Sequence, residues 1–303
     1  MSVVAILASG DMMPGAADRR VDAWEGDAQV AVVAAALARH GYATELRRWD
    51  DAEADWSAYA AAIVSVTWDY AARPDAFLAA LERIAAATRL VNPLEVIRWN
   101  MRKTYLRDME ARGVTVVPTV WVDAATPAQA ARAFADFATD RLVIKPQVGA
   151  GAWRQVRLGA GDPWPAAEAL PPGPAMIQPY LASVAAEGEY SFLYFGGRFS
   201  HGVVKRAAPG DYRIQSSFGG TTQVYHPSAE ELAVGVAALA AVSAPLFHAR
   251  VDLVRLDDGR LALIELELIE PYLYVVGVAG LEDVLADAWA GLIETFTPSA
   301  MPV

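Results

Sequence analysis

Two short runs in which apolar and charged residues alternate, ARVDLVRL and RLALIELEL, constrain this chain more than any other feature. They are joined by Asp258-Gly259, and an Asp-Gly pair between such runs predicts a β-hairpin with a two-residue type I′ turn. That turn places Asp252 opposite Glu265 and Arg250 opposite Glu267. Because side chains alternate across a strand, all four project from one face of an antiparallel sheet.

The opposite face of this hairpin is predicted to be an apolar layer of Val251, Leu253, Ile264 and Leu266. On the charged face three carboxylates repel one another, so a cation is expected among them. Oxygen ligands without His or Cys suit Mg²⁺, which takes one or two carboxylates and completes its coordination with phosphate and water. A solvated acidic face, with Arg250 neutralising one Glu, is the alternative.

Lysine is rare in this chain. Of its 25 basic residues only three are lysines, Lys103, Lys145 and Lys205. Since arginine is the usual surface cation here, each lysine invites a specific role, and a compact ammonium is well suited to a phosphate oxygen. Lys145 ends an apolar strand and opens onto a loop with Gly149 and Gly151, whose backbone N–H groups can approach phosphate. Three lysines and a Mg²⁺-type acid cluster together indicate the use of a nucleoside triphosphate.

The first 91 residues alternate between strand-like and helix-like segments, which predicts an α/β unit with a largely parallel sheet. We predict strands at 3–8, 43–48 and 60–66, and helices at 26–40 and 74–87. The loop after the first strand reads SGDMMPG, so the glycine pattern of a dinucleotide-binding turn is absent.

The middle and last parts of the chain predict further strands and helices, with less regular alternation. A helix at 100–112 carries Lys103, a strand follows at 114–122, and another helix covers 126–137. Gly196-Gly197 predicts a hairpin between strands 189–195 and 198–206.

Composition excludes several classes of protein. The net charge is −11 without a basic window, which argues against nucleic acid as a partner. Cysteine is absent, which removes disulfides and thiolate chemistry. No Gly-Lys dipeptide, H-R-D or D-F-G occurs, so neither a Walker A loop nor a protein-kinase fold is expected. With no secretory signal and no apolar stretch of about 18 residues, we predict a cytoplasmic protein without membrane contact.

Taken in order, these motifs resemble the ATP-grasp ligase superfamily, in its glutathione-synthetase-like and ribosomal-protein glutamate-ligase-like branch. The resemblance rests on RWNMRKTYL, VIKPQVGAG, QPY followed by EGE, GDYRIQSSFGG, RVDLV and IELELIEP, which together span nearly the whole chain. It implies an α/β and α+β fold: a Rossmann-like (pre-ATP-grasp) domain at 1–95, a central lid subdomain at 96–183 and an antiparallel catalytic domain at 184–303. Homodimers are common in the superfamily.

The resemblance also implies roles for individual residues. Lys103, Lys145 and Lys205 would face the phosphates of ATP, with Gly149 and Gly151 beside them. Gln178 to Tyr180 would read adenine and Glu187 the ribose. Asp252, Glu265 and Glu267 would hold one or two Mg²⁺ ions, with Mn²⁺ as an alternative, although many relatives carry Asn where Glu267 stands. Arg213 and Arg250 would stabilise the transferring phosphoryl group, and Gly220 would offer a backbone N–H nearby.

Substrate selection is expected in the first domain, because ligands of parallel sheets lie beyond the carboxyl ends of the strands. We therefore predict contacts from Asp11, Trp68, Asp69 and Tyr70, with Arg19 or Arg20 meeting a substrate carboxylate and Asp69 an ammonium. The expected activity is an ATP-dependent carboxylate–amine ligation through an acyl phosphate, on an amino acid or related small molecule. Two alternatives remain open from the residues: a small-molecule kinase of the same fold, and a nucleotide-binding protein without turnover.

Overall fold

A computed structural model describes residues 2–149, 151–208 and 219–294, and within them the chain forms three sheets. The first sheet is parallel, in the order β2-β1-β3-β4, as the alternation predicted. Its strands are β1 (Ser2–Ala8), β2 (Tyr42–Arg48), β3 (Ala61–Val66) and β4 (Leu90–Val91), with helices α1 (Ala23–Ala38) and α2 (Pro74–Ala87). The middle strand β3 is buried along its whole length, as expected for a parallel sheet covered on both faces.

The second sheet is antiparallel, in the order β5-β8-β6-β7. Its strands are β5 (Val120–Val122), β6 (Arg141–Pro146), β7 (Val156–Gly159) and β8 (Ala175–Pro179). Before it in the chain come helices α3 (Leu94–Asn100) and α4 (Tyr105–Ala111), which pack on the cores of the other two sheets, whereas α5 (Pro127–Asp136) packs on this sheet. The predicted single helix at 100–112 is wrong. The chain breaks between α3 and α4, which lets the backbone N–H of Lys103 donate to Gln147 O at 2.8 Å. The predicted strand at 114–122 is also shorter than expected.

The third sheet is antiparallel, in the order β11-β10-β9-β12-β13. Its strands are β9 (Glu189–Phe195), β10 (Arg198–Arg206), β11 (Thr221–Tyr225), β12 (His248–Arg255) and β13 (Leu261–Glu267), and the helices of this part are α6 (Ala182–Ala186), α7 (Ala229–Ala240) and α8 (Leu281–Glu294). One face packs on a core that includes Phe192, Val251 and Leu266. In the described residues, no helix has both the length and the apolar character needed to cross a bilayer.

In the hairpin β12–β13 the charged residues pair as predicted, but the turn that joins the two strands is different. Three residues, not two, form the loop: the N–H of Leu256 donates to Arg260 O at 2.8 Å, and Gly259 has a φ of +86°. A three-residue loop ending in a left-handed glycine is a common hairpin connection. Next to this loop every pair is displaced by one residue from the prediction, so that Leu253 lies opposite Leu263 instead of Ile264.

A β-bulge restores the predicted register. Leu253 pairs with Leu263, whereas the next pair is Asp252 with Glu265, so Ile264 is the extra residue. The predictions that Asp252 faces Glu265 and Arg250 faces Glu267 are therefore confirmed. The prediction for Ile264 is wrong, because the bulge turns it toward the cavity described below rather than into the apolar layer.

A second bulge lies in β10. Phe199 pairs with Tyr194, but His201 pairs with Leu193, which makes Ser200 the extra residue. Beyond the bulge Lys205 stands opposite Glu189. An unbroken register from the Gly196-Gly197 turn would direct Lys205 to the apolar face, because a shift of one residue exchanges the two faces of a strand.

Side chains, not a further strand, bind the outer edge of β13 near Glu265. Asn100 Nδ2 donates to Leu266 O at 2.8 Å, and Asn100 Oδ1 accepts from the N–H of Leu268 at 3.0 Å. The hydroxyl of Tyr105 accepts from the N–H of Leu266 at 2.7 Å. These contacts satisfy an edge that would otherwise be open and hold the carboxylate strand in place.

We expect the Asn100→Leu variant to lose about 2 kcal/mol of unfolding free energy, because it leaves one carbonyl and one N–H of β13 without partners. Urea unfolding followed by tryptophan fluorescence measures the change. Gln223→Leu, at an exposed residue of β11, is the matched control and should differ little from the wild type. Equal stability of the Asn100→Leu variant and the wild type would contradict the role given to this side chain.

Candidate active site

A cavity of about 1180 Å³ lies where the three sheets meet. Such a volume exceeds the usual size of a pocket for one small ligand. One end is lined by the second sheet and by the segment after β8. The other is lined by the segments that follow β1 and β3, by the start of α1 and by the segment after β13. The charged face of β12 and β13 lies between them.

Three carboxylates gather at the centre of this cavity. Asp252, Glu265 and Glu267 can each bring one oxygen within 4.8 Å of the others. Arg250 Nη2 lies 2.9 Å from Asp252 Oδ2 and also pairs with Glu267. A set of three nearby oxygens without nitrogen or sulfur fits Mg²⁺ or Mn²⁺.

The electrostatics of these carboxylates differ. Burial favours the neutral acid at Asp252, but Arg250 and Lys205 outweigh it and lower its pKa to about 2. Burial raises the pKa of Glu267 to about 8, since Arg250 offsets it only in part and Glu265 adds repulsion. Glu267 is therefore the member of the set that most lacks positive charge.

The three lysines approach the same cavity from different elements. Lys103 Nζ is 2.5 Å from Glu265 Oε1 and donates to Gly149 O at 2.9 Å. Lys205 Nζ lies 2.5 Å from Glu189 Oε1 and 3.4 Å from Asp252 Oδ1.

Lys145 is different from the other two lysines. Burial lowers its pKa, and among the described residues no carboxylate forms an ion pair with it. A buried ammonium without a partner is costly, so this end of the cavity is suited to an anion.

Four more residues predicted for ATP binding line the cavity: Gly149, Gly151, Gln178 and Tyr180. The side chain of Gln178 is held by Thr119, whose Oγ1 accepts from Nε2 at 2.9 Å. The predicted phosphate loop and adenine segment therefore lie on the same side of the cavity as Lys145.

Glu187, predicted to bind the ribose, is placed by the structure outside the cavity. Its carboxylate accepts from Arg255 Nε and from the Tyr190 hydroxyl, both at 2.8 Å, and it lies outside the cavity lining. Glu189, two residues later, lines the cavity instead. Between them Gly188 has a φ of +108°, and a Cβ there would lie 2.4 Å from Lys205 O, so only glycine allows this approach.

The substrate residues predicted in the first domain are divided by the structure. Trp68 and Asp69 line the cavity. Asp11 and Arg19 do not: Asp11 accepts from the Ser9 hydroxyl at 2.5 Å, and Arg19 pairs with the exposed Asp27 at 2.6 Å.

Two more residues predicted to bind substrate, Tyr70 and Gly220, do not line the large cavity. Tyr70 is buried and borders a separate small cavity, and Gly220 lies outside the lining of the large one. Asp69 is already engaged, since it accepts from Trp49 Nε1 at 2.7 Å and pairs with Arg73. Arg213 falls outside the described residues.

Of the two arginines predicted for this end, Arg20 lines the cavity, with its guanidinium 5.5 Å from the ring centre of Trp68. Other cavity residues were missed by the sequence analysis: Glu25 at the start of α1, and Glu270, Tyr272 and Tyr274 after β13. The repeated acidic and aromatic residues directly after the carboxylate strand were the available signal.

Comparisons with known proteins agree with this site. Residues 4–92 match the N-terminal domain of the D-cycloserine synthetase DcsG. The cycloserine biosynthesis protein DcsG of Streptomyces lavendulae is 36% identical over 250 residues, which cover 77% of this chain and 83% of that protein. The crystal structure of D-cycloserine synthetase DcsG superimposes with a TM-score of 0.82 at 28% identity, covering 96% of this chain and 100% of that one.

A more distant structure has the same fold. The ATP-grasp ligase PsnB, complexed with a minimal precursor, gives a TM-score of 0.63 at 17% identity and covers 95% of this chain and 99% of that one. The predicted ATP-grasp fold is confirmed. The chain is an ATP-grasp ligase, and it belongs to the family of the cycloserine synthetase DcsG. It is thus an enzyme that forms amide bonds with ATP, as predicted; ATP-grasp ligases in general use ATP and Mg²⁺.

Proposed function

We propose that this enzyme activates the carboxylate of an amino-acid substrate as an acyl phosphate and then closes a ring within the same molecule. The observation that carries the proposal is the buried ammonium of Lys145, which has no ion-pair partner among the described residues, in a cavity that also holds three carboxylates. An anion and a divalent cation bound together satisfy both, and the triphosphate of ATP with Mg²⁺ has this chemistry.

We assign the parts of the cavity as follows. Lys103, Lys145 and Lys205 hold phosphate oxygens, and Gln178 to Tyr180 contact the adenine. Glu189 takes the ribose role that the resemblance implied for Glu187. Asp252, Glu265 and Glu267 hold one or two Mg²⁺ ions, which neutralise the charge of the phosphates. In the proposed domains, ATP is therefore held between 96–183 and 184–303, and domain 1–95 is left for the substrate.

The chemistry requires no nucleophile from the protein. The substrate carboxylate attacks the γ-phosphorus and ADP leaves, and a nitrogen of the substrate then displaces phosphate from the acyl phosphate. Arg250 is placed to stabilise negative charge on the transferring group, because its guanidinium lies between two of the carboxylates. Preorganised charge and positioning supply the acceleration.

The name of the relative suggests the ring. Cycloserine contains an amide between the carboxyl carbon of serine and a nitrogen attached to the side-chain oxygen, so its precursor must be a serine O-substituted by such a nitrogen. We therefore propose O-amino-serine or its carbamoyl derivative, O-ureido-serine, as substrate class. With O-ureido-serine the ring nitrogen keeps its carbamoyl group after closure, and water must then release this group as carbamic acid to leave the cycloserine ring.

The test is ADP release with Mg²⁺ and ATP across these serine derivatives in both configurations, together with ordinary amino acids singly and in pairs, with products identified by mass spectrometry. ADP and a cyclic product from one O-substituted serine alone would support the proposal. Release only when a second amine is added would replace ring closure by intermolecular ligation.

Lys145→Met should weaken ATP binding by roughly 10- to 100-fold, because a charge-assisted contact to phosphate contributes about 1.5–3 kcal/mol. Calorimetric titration with ATP and Mg²⁺ measures the change. Arg132→Met, at an exposed residue of α5, serves as a control for loss of positive charge. An unchanged dissociation constant for the Lys145→Met variant would show that this ammonium does not face the nucleotide.

A further inference from the structure

Glu270 is a buried carboxylate that the proposed reaction does not yet use. It follows β13 by three residues, is 8% exposed and lines the large cavity. It also borders a small cavity of about 20 Å³, shared with Tyr70 and Tyr105. Glu270 thus lies next to the carboxylate set but on its substrate side.

The acidic residues around Glu270 each have a basic partner. Asp252 and Glu267 pair with Arg250, Glu265 pairs with Lys103, and Glu189 pairs with Lys205. Among the described residues, no other side chain donates a hydrogen bond to Glu270 or forms an ion pair with it. Burial raises its pKa to about 7, because the nearby Arg250 compensates only in part and Glu265 opposes ionisation. The position therefore favours a cation that comes with the ligand.

That cation is not expected to be the catalytic metal. Within the described residues the oxygens that lie close enough to share an ion belong to Asp252, Glu265 and Glu267, and Glu270 is not in that set. A second kind of cation, carried by the substrate, matches the geometry better.

We propose that Glu270 binds the α-ammonium of the amino acid whose carboxylate is activated. The assignment rests on the proposed function and extends it to one substrate group. In an α-amino acid the ammonium is attached to the carbon next to the carboxylate, so it must lie beside the centre of phosphoryl transfer. Glu270 satisfies this requirement, whereas Glu25 enters the cavity from the first domain at the start of α1.

Aromatic residues that follow Glu270 shape the same compartment. The ring centres of Tyr272 and Tyr274 are 4.7 Å apart, and Trp68 meets Tyr272 edge to face at 6.1 Å. The guanidinium of Arg250 lies 5.7 Å from the ring centre of Tyr274. Aromatic rings beside the carboxylate lower the local polarity, which strengthens the attraction between an ammonium and Glu270.

The test is equilibrium binding to the enzyme loaded with Mg²⁺ and a non-hydrolysable ATP analogue. Three amino acids are each compared with their des-amino analogues: serine with 3-hydroxypropanoate, alanine with propanoate, and O-ureido-serine with 3-(ureidooxy)propanoate. We expect the wild type to prefer the amino member of at least one pair by roughly 10- to 100-fold, the range for a hydrogen bond to a charged group. Glu270→Gln should abolish that preference without changing binding of the des-amino member.

Glu25→Gln is the matched control and should retain the preference. The proposal is overturned if the wild type shows no preference in any pair, if Glu270→Gln weakens both members equally, or if only Glu25→Gln removes the preference. It is also overturned if Glu270→Gln raises the Mg²⁺ concentration needed for binding, since Glu270 would then be a metal ligand. ADP release by the wild type is measured separately, so failure of the ligase proposal is distinguished from failure of the ammonium site.

Discussion

Glu265→Gln is expected to lower kcat for ATP-dependent amide formation by about 10³-fold. A metal ion that neutralises a transferring phosphoryl group contributes several kcal/mol, and about 1.4 kcal/mol corresponds to a tenfold change in rate. Glu265 lies at the centre of the oxygen set, opposite Asp252 and in contact with Lys103. Loss of its charge therefore weakens both the metal site and the position of the lysine.

A folding check and a control variant make this prediction specific. The fold should persist, because Gln keeps the shape of the side chain and Lys103 retains Gly149 O as an acceptor; circular dichroism and a thermal melt check this. Glu230→Gln, at an exposed residue of α7, is the matched control and should turn over normally. A folded Glu265→Gln enzyme with wild-type kcat would remove Glu265 from the metal site.

Arg250→Met is expected to lower the free energy of unfolding by about 3–5 kcal/mol, because removal of one partner leaves a buried charge without compensation. Arg250 pairs with both Asp252 and Glu267; Asp252 keeps Lys205 at 3.4 Å, whereas Glu267 loses the ion-pair partner that the described residues give it. Urea unfolding at neutral pH, without nucleotide or metal, measures the loss. Added Mg²⁺ should recover part of it by supplying positive charge to the same oxygens.

The control for this variant is Arg198→Met. Arg198 also forms an ion pair, 3.7 Å from Asp287 Oδ2, but both side chains are mostly exposed. Exposed pairs contribute about 0–1 kcal/mol, so this variant should unfold almost as the wild type does. Similar losses in the two arginine variants would show that burial of Arg250 carries no special cost.

The carboxylate set could be predicted from the sequence because of strand alternation. Acids at every second position, on two runs joined by a turn, must share one face once the register is known. The register was predicted correctly from a two-residue turn, although the loop has three residues. The bulge at Ile264 compensates for the longer loop, and no property of Ile264 itself indicates a bulge.

Lys205 shows the limit of this reasoning. Its place on the charged face depends on the bulge at Ser200, which exchanges the two faces of β10 beyond that residue. The scarcity of lysine pointed to Lys205, whereas regular pairing would have sent it to the apolar face. The sequence analysis named Glu187, and not Glu189, for a related reason: the fit of Gly188 against the backbone of Lys205 depends on contacts between strands that are distant in sequence.

The bulge of β13 determines which changes of length this hairpin can accept. Ile264 is the extra residue between the pairs Leu253–Leu263 and Asp252–Glu265, so its loss leaves both pairs opposite one another on an uninterrupted hairpin. One residue more between Leu263 and Glu265 has no partner on β12, and unless the bulge widens it moves Glu265 and Glu267 out of phase with Asp252. Homologues that keep the activity should therefore differ here by loss of the extra residue rather than by a further insertion.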